Sequence, residues 1–255
     1  GFTVIKRDQV TPPPNPKRKV TGIYSPGTYI DEINNPDSNF ILSLYIEEED
    51  QLNNNKILCV GLSVIDLSIG KSFVHEVYST QEDNKYSLDE AVKFINSFSP
   101  KEIIITTKNL TSIKINDLIA YLELDYKNYN IYNDIPKNIH KISYQNEFLR
   151  KVYSSIGIIS PIEFIDMERT NYSRLSFILL LKYSHDHKDD IIINLDRPEI
   201  YSDCKYLHLG NNAIFQLNII PQYVNNDIFS PGCKYKSLFD VINKTSTAMG
   251  RRFLK

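Results

Sequence analysis

The feature that most constrains the fold is a set of three strand-like runs in the first third of the chain. Apolar residues recur at every second position within residues 40–46, 60–65 and 73–78. A period of two puts alternate side chains on opposite faces of a β-strand. The turn sequence Ser68-Ile69-Gly70 joins the second run to the third. The sequence therefore predicts an antiparallel meander.

Helical signals follow the meander. Ser87 and Glu90 have the spacing of a capping box, in which the serine accepts from a helical N–H and the glutamate reaches back. An apolar helical stripe follows at Leu88, Ala91, Val92, Ile95 and Phe98. The apolar run 103–105 is typical of a parallel strand covered on both faces, and a further helix is predicted around 115–122. Together these elements predict an α/β layered domain.

The second half of the chain is predicted to be helical from Ser143 onwards. Ser160 and Glu163 again have the capping-box spacing, with a proline at the first helical position between them. A helix at residues 173–185 is apolar on most faces, so we expect other elements to pack around it. One last helix is predicted from the spacing of Leu238, Val241, Ile242, Thr245, Met249 and Phe253.

Charge, cysteine usage and hydropathy limit the function classes. The formal net charge is −2, so any nucleic-acid contact must come from a local basic patch. Cys59, Cys204 and Cys233 lack CxxC or Cys/His ligand spacing, which argues against a disulfide framework or a zinc site. The longest apolar run, 177–181, is too short to cross a bilayer. We expect an intracellular, reducing compartment.

Two sequence motifs lie near opposite ends of the chain. The first comprises GFTVIKRDQ at 1–9, RKV at 18–20 and SPGT at 25–28. The second comprises LHLGNNA at 207–213 and the segment 237–255. The first motif resembles the end of the mismatch-recognition domain in the MutS family of DNA mismatch-repair proteins. The second is similar to the segment and helix that open that family's lever and core domain.

Two further motifs lie between these, in the order in which the family has them. Residues 61–73 are similar to a hairpin of the family's connector domain, and PKEIII at 100–105 resembles the strand after the connector helix. Gly210 and Asn243 stand where the family usually has aspartates. The resemblance therefore implies a divergent member, and the Asn-, Ile- and Tyr-rich composition resembles that of giant-virus or organellar proteins.

The resemblance implies a fold class and a division into domains. The implied fold is α/β, a ribonuclease-H-like connector domain with a mixed sheet, followed by the start of an all-α core domain. Residues 1–31 would form the C-terminal edge of the recognition domain, 32–187 the connector, and 188–255 the start of the helical core or lever domain. The chain begins at Gly1 and stops at Lys255 within a helical pattern, so we expect an internal fragment.

The resemblance also implies a function, which is to transmit conformational change between an ATPase and a mismatch-binding DNA clamp. The chain has no GxxxxGK[ST] loop to cradle phosphates. We therefore expect no catalytic, cofactor-binding or metal-binding residue in this fragment, with ATP and Mg²⁺ bound elsewhere in the parent protein. The expected partners of the parent are double-stranded DNA with mismatches, a second copy in a homodimer and a downstream repair protein, without a membrane.

Two groups of residues are candidates for contacts with DNA or with another domain. Lys17, Arg18 and Lys19 are candidate DNA-binding residues, because lysine and arginine neutralise phosphates without recognising sequence. A solvated loop in front of a strand is the alternative. The candidate interdomain residues of the lever helix are Met249, Gly250, Arg251 and Arg252. For the two arginines of this group, packing or an interdomain ion pair competes with direct DNA contact.

Other function classes stay open at this point. A ribonuclease-H-like nuclease would need clustered carboxylates around two metals about 4 Å apart, and Asp66, Glu102 and Asp125 are the candidates. Asp66 is otherwise a turn or strand-end residue. The His- and Asp-rich run 185–190 suggests either a metal site or a solvated helix end. A plain protein-interaction module without a link to repair is the third class.

Overall fold

The computed structural model divides the chain into two compact units. It describes residues 2–12, 14–29, 39–51, 56–125, 127–132, 135–153, 156–187, 192, 195–202, 213–220, 235 and 237–254. One unit comprises Gly1–Ile30 and Asn39–Tyr201, and the other comprises Asp31–Ser38 and Ser202–Lys255. The predicted domain boundaries, at 31/32 and 187/188, fall on or beside residues outside the described ranges and stay predictions.

The first unit contains a two-stranded hairpin and a six-stranded sheet. The hairpin pairs β1 (Val4–Gln9) with β2 (Arg18–Tyr24) in antiparallel orientation. The strands of the larger sheet are β3 (Phe40–Asp50), β4 (Lys56–Asp66), β5 (Lys71–Tyr78), β6 (Glu102–Lys108), β7 (Tyr129–Tyr132) and β8 (Glu199–Ile200). Their spatial order is β7-β6-β3-β4-β5-β8.

The strand directions confirm the predicted fold class. Strands β3, β4 and β5 form the predicted antiparallel meander, and β6 runs parallel to β3 as predicted. The two edge strands, β7 and β8, also pair in parallel with their neighbours. Strand β4 therefore runs opposite to the other described strands of this sheet, and the order of β3 to β7 is that of a ribonuclease-H-like mixed sheet. The sequence does not predict β7 and β8, because they are too short to show a period of two.

Helices cover both faces of this sheet. They are α1 (Tyr86–Phe98), α2 (Ile115–Tyr121), α3 (Ile142–Val152), α4 (Pro161–Phe164) and α5 (Asn171–His187). The second unit contains α6 (Ala213–Gln216), α7 (Leu238–Ile242) and α8 (Ala248–Leu254). Leu42 of β3 packs in the core under α1 and α2, whereas its neighbour Ile41 packs in the core under α5. In the described part of the chain, no helix is long and apolar enough to span a membrane.

Helix α5 lies against the sheet with almost no space between their backbones. A Cβ atom added at Gly61 of β4 would lie 2.1 Å from the carbonyl oxygen of Tyr172, so a side chain larger than hydrogen does not fit there. Further along the helix, the buried Ser176 hydroxyl donates to the carbonyl of Ser43 at 2.7 Å and lies 2.8 Å from the Ser63 hydroxyl. Small residues on both sides therefore permit this close packing.

Strand β5 supplies the acceptor for the first turn of α5. The Glu76 carboxylate accepts from the backbone N–H groups of Tyr172 at 2.7 Å and Ser173 at 2.8 Å. These donors have no partner within the helix, and a negative charge at a helix N-terminus is favourable. Glu76 therefore fixes where α5 begins on the sheet.

Two predictions about helix ends are wrong. Helix α1 begins at Tyr86 with Lys85 as the N-cap, so Ser87 lies inside the first turn and its buried hydroxyl has no hydrogen-bond partner. The predicted single C-terminal helix is two helices, α7 and α8. Between them, the Asn243 side chain accepts from Thr245 N–H at 3.2 Å and from its hydroxyl at 2.6 Å, a local bond that competes with the helix. The capping box at Ser160 and Glu163 is confirmed.

The contact at Gly61 predicts a large cost for a single methyl group. Replacing Gly61 with alanine should lower the free energy of unfolding by about 2–4 kcal/mol, because α5 must move away from β4. Urea denaturation followed by circular dichroism measures this change. In the matched control Gly157→Ala, the added Cβ meets nothing within 4 Å. The cost of this variant comes only from the backbone, because residue 157 has a positive φ of 74°. That control should cost about 1 kcal/mol, and equal destabilisation of the two variants would contradict the packing argument.

Candidate functional site

The predicted basic triplet lies on the hairpin and is exposed. Arg18 and Lys19 begin β2, and Lys17 directly precedes them. The Lys17 N–H donates to the Thr11 hydroxyl at 2.7 Å, and the Lys17 carbonyl accepts from Val10 N–H at 2.8 Å. These bonds close the loop between the two strands, so the backbone that carries the triplet has a defined conformation.

Pairing of the two strands brings further cations beside the triplet. Lys6 and Arg7 of β1 are exposed, and Arg7 lies opposite Val20 of β2. Asp8 of the same strand accepts from Thr21 at 2.8 Å and pairs with Lys6 at 3.3 Å, and these two contacts lower the pKa of Asp8. The hairpin thus presents five cations beside one carboxylate. Sequence reasoning missed Arg7 because only the strand register places it next to the triplet, and Lys6 precedes Arg7 in the same strand.

The turn that follows the hairpin docks on a buried carboxylate. Glu102, at the start of β6, has 2% of its surface exposed. One of its oxygens accepts from the Ser25 hydroxyl at 2.6 Å and from Gly27 N–H at 3.1 Å. The other accepts from the Tyr183 hydroxyl of α5 at 2.6 Å and from the Asn130 side chain of β7 at 3.0 Å. Glu102 therefore joins the turn to two elements of the α/β layer.

The geometry of this turn accounts for the sequence Ser25-Pro-Gly-Thr28. The Thr28 hydroxyl accepts from Ser25 N–H at 2.9 Å, which closes the turn. A Cβ atom at Gly27 would lie 2.5 Å from the Ile41 side chain, so only glycine fits beside β3. Asn39 donates to the carbonyl of Gly27 at 2.5 Å and holds the turn from the other side. Burial, and then the hydrogen bond to Glu102, raise the pKa of Tyr183, so its phenol remains a donor.

The candidate nuclease carboxylates do not come together. Asp66 lies opposite Phe40 and Glu102 lies opposite Ile41, on either side of β3. Since neighbouring strand residues point to opposite faces, the two side chains lie on opposite faces of the sheet, on strands about 10 Å apart. Asp125 is exposed after α2. This arrangement gives the two-metal alternative no support.

Asp66 instead stabilises a turn. It is fully buried, and its carboxylate accepts from Ser68 N–H at 2.8 Å, from the Ser68 hydroxyl at 2.5 Å and from Asn39 N–H at 3.3 Å. These contacts agree with the interpretation of Asp66 as a strand-end residue.

The histidines at the end of α5 make contacts within their own unit. The His187 ring lies 4.1 Å from the Tyr183 ring, with Nδ1 at 2.7 Å from the Tyr183 carbonyl. His185 packs edge-on against Phe148 at 6.0 Å. Residues 188–190 of the predicted cluster lie outside the described residues. Within the described ranges, no three His, Cys, Asp or Glu side chains are grouped so that they could hold a metal ion.

The predicted lever residues lie on α8. Met249 is exposed, Gly250 N–H donates to the Thr247 hydroxyl at 3.1 Å, and the Arg251 guanidinium lies 5.6 Å from the centre of the Phe239 ring of α7. An arginine over an aromatic ring is a favourable contact, and the interdomain role of these residues stays a prediction. The side chain of Arg252 lies outside the described residues, as do most of residues 207–213.

An electrostatic feature that the sequence did not indicate lies at the opposite end of β3. Glu48 is 5% exposed and accepts from the backbone N–H groups of Thr111 at 2.6 Å and Ser112 at 2.9 Å, with Lys56 Nζ at 3.0 Å. Burial alone would raise the pKa of Glu48. The two backbone bonds and Lys56 outweigh it and lower the pKa from 4.5 to about 2.

Comparison with known proteins identifies relatives of this chain. No protein-family model matches the chain. Over its whole length the chain is 40% identical to a protein of Acanthamoeba polyphaga mimivirus named as a DNA mismatch repair MutS homologue, of which it covers 24%. It is 26% identical to the MutS of Caldanaerobacter subterraneus and 26% identical to a mitochondrial MutS homologue of Sarcophyton glaucum, covering 26% and 27% of them. The homologues of this chain are MutS-family proteins.

The MutS resemblance seen in the motifs is thus confirmed, with giant-virus and organellar proteins among the relatives. The chain spans about a quarter of the length of these MutS relatives. Among solved structures, Thermus thermophilus RuvC in complex with a Holliday junction substrate matches 59% of this chain and 96% of its own, at 7% identity and a TM-score of 0.32. A likeness of that size supports no functional inference, and the fold assignment rests on the strand order.

The Glu48 site predicts an acid-dependent decrease in stability. Because the folded pKa, about 2, lies below the ordinary value of 4.5, Glu48 stabilises the fold above pH 4.5 and this contribution disappears as the pH falls through about 2. Glu48→Gln should therefore lower the free energy of unfolding by about 1–3 kcal/mol at pH 7, with the difference vanishing near pH 2. Urea titrations at several pH values measure it. Exposed Glu82, replaced with glutamine, is the control and should change little.

The hairpin predicts DNA contact that is independent of sequence. Replacing Lys17, Arg18 and Lys19 together with alanine should weaken duplex binding equally for matched and mismatched DNA. The slope of log affinity against log salt is negative, and its magnitude should decrease by about 0.9 for each phosphate that the variant no longer neutralises. Fluorescence anisotropy at several salt concentrations measures both. The control replaces three exposed lysines elsewhere, Lys137, Lys141 and Lys151, and an equal weakening in that variant would contradict a site on the hairpin.

Proposed function

We propose that this chain is the connector region of a MutS-type DNA mismatch-repair protein. In this proposal it transmits conformational change between an ATPase and a mismatch-binding DNA clamp, both of which other parts of the protein carry. The observation that supports the proposal is the buried Glu102 carboxylate, which binds the turn at Ser25 and Gly27 on one side and Tyr183 and Asn130 on the other.

The Glu102 contacts make the hairpin and the α/β layer move together. A displacement of the turn would break the bonds from Ser25 and Gly27 and leave one carboxylate oxygen buried without donors. Breaking them costs about 1–3 kcal/mol or more for a charged group. Small displacements of the hairpin are therefore passed to β6, and through Tyr183 to α5, before the contact breaks. This behaviour is what a two-state, rigid-body relay requires.

The proposal assigns no catalysis to this chain. ATP and Mg²⁺ would bind to the parent protein outside these residues, since the sequence has no phosphate-cradling GxxxxGK[ST] loop. The partners would be double-stranded DNA with mismatches, a second copy of the parent in a homodimer, and a downstream repair protein. A reducing intracellular compartment belongs to the same proposal, and it accords with the free thiol of buried Cys59.

The test uses the full-length protein that carries this chain and weakens only the Glu102 contact. In Glu102→Gln, an amide NH₂ replaces one carboxylate oxygen and opposes the donors on that side. We expect the mismatch-dependent change in ATPase rate to fall by about fivefold or more, while the basal ATPase rate stays within about twofold. Ser25→Ala, which removes a single donor, should have a smaller effect in the same direction.

Two controls decide how the result is interpreted. Glu82→Gln makes the same chemical change at an exposed position and should leave the ATPase response intact. Mismatch affinity is measured in parallel, and the ATPase responses are compared at saturating mismatched DNA, because Glu102 also holds the hairpin that carries the candidate DNA contacts. Normal coupling in a folded Glu102→Gln protein would refute the proposed relay.

A further inference from the structure

A short segment closes one edge of the large sheet. We name residues 196–201 the edge strap; it contains β8. Asp196 N–H donates to the Gly70 carbonyl at 3.1 Å, and Tyr201 N–H donates to the Val74 carbonyl at 2.8 Å. Strand β8 itself pairs with β5 at only two positions, and the side chain of Ile200 is 64% exposed. The strap's own ladder is therefore too short to hold it firmly.

An aromatic side chain holds the C-terminal end of the strap. The Tyr201 ring lies 5.0 Å from the Phe94 ring, 5.6 Å from the His75 ring and 5.7 Å from the Phe98 ring, measured between centres. The three contacts are edge-on, which is a favourable geometry for aromatic pairs. The Tyr201 hydroxyl also lies 3.2 Å from the Ser97 hydroxyl of α1. One side chain thus fastens the strap to both β5 and α1.

Tyr201 is also the last residue of the first compact unit. Its backbone forms the covalent connection to Ser202 of the second unit. Its ring is only half-buried and the strand before it has two residues. Among the contacts of the strap, those of Tyr201 are therefore the ones that lie next to the boundary between the two units.

We propose that Tyr201 is the anchor of a releasable edge strap. With the ring seated among Phe94, Phe98 and His75, the strap completes the edge of the sheet. When the ring leaves this position, β8 separates from β5. The role of this release in communication between units rests on the proposed connector function, whereas the anchoring itself does not.

The anchor is tested on the full 255-residue chain. Hydrogen exchange detected by mass spectrometry follows the peptides that contain 196–201, and a glutamate-specific protease reports exposure of the bond between Glu199 and Ile200. Tyr201→Ala should raise both the exchange rate and the cleavage rate by about tenfold, since opening becomes more frequent. Tyr201→Phe keeps the ring and should stay within about twofold of the unchanged chain.

The controls separate release of the strap from general unfolding. Tyr86→Ala removes an exposed tyrosine at the start of α1 and should leave the strap peptides unchanged. If Tyr201→Ala fails to fold, Phe98→Leu removes one ring of the cluster and should raise the same two rates. Unchanged exchange and cleavage in a folded Tyr201→Ala chain, or in Phe98→Leu where Tyr201→Ala does not fold, would overturn the anchor. Equal increases in Tyr201→Ala and Tyr201→Phe would likewise overturn the role of the ring.

A second arm distinguishes this inference from the proposed connector function. In the full-length protein, Tyr201→Ala should reduce the mismatch-dependent ATPase response, as Glu102→Gln does. A normal response in Tyr201→Ala, with strap release measured on the chain, would overturn the role of the strap in communication. The result for Glu102→Gln would still decide the connector function independently.

Discussion

The contact on which the first unit depends is the hydrogen bonding of the Glu102 carboxylate. A buried carboxylate without a cation is costly unless donors replace the water that it gives up. Here four donors from three different elements do so. A two-stranded hairpin is marginal by itself, and β1 and β2 keep their place because the turn at Ser25 and Gly27 supplies two of those donors. The same hydrogen bonds therefore attach the hairpin and replace the water that the carboxylate gives up.

Close packing of α5 on the sheet is a second requirement, and it explains several residue choices at once. Gly61 permits contact between backbones, Ser63 and Ser176 satisfy each other between the layers, and Glu76 accepts from the first N–H groups of the helix. Because α5 is fixed at its start by Glu76, Tyr183 near its end lies within reach of Glu102. The two sites are thus linked through a single rigid helix.

These contacts also explain physically why particular residues stand in the motifs 61–73, 25–28 and 100–105, which carry the MutS resemblance. The glycine at the start of the motif 61–73 is required by the backbone of α5, and the glycine of SPGT is required by the side chain of Ile41. The glutamate of PKEIII receives the turn formed by SPGT. The SPGT and PKEIII motifs, whose contacting residues are 75 or more positions apart in the sequence, therefore form one contact.

The sequence by itself determined the local elements and the fold class. Alternation identified β3, β4 and β5, a short apolar run identified β6, and helical spacing identified α1, α2 and α5, because each of these signals depends on neighbours along the chain. Only the tertiary structure decided which distant groups meet. It placed Arg7 beside the basic triplet and separated Asp66 from Glu102. It also gave α1 a start that leaves the Ser87 hydroxyl without a hydrogen-bond partner, and it packed Tyr201 against three rings. Register, burial and close approach of backbones are set by packing between elements, and no local pattern of residues encodes them.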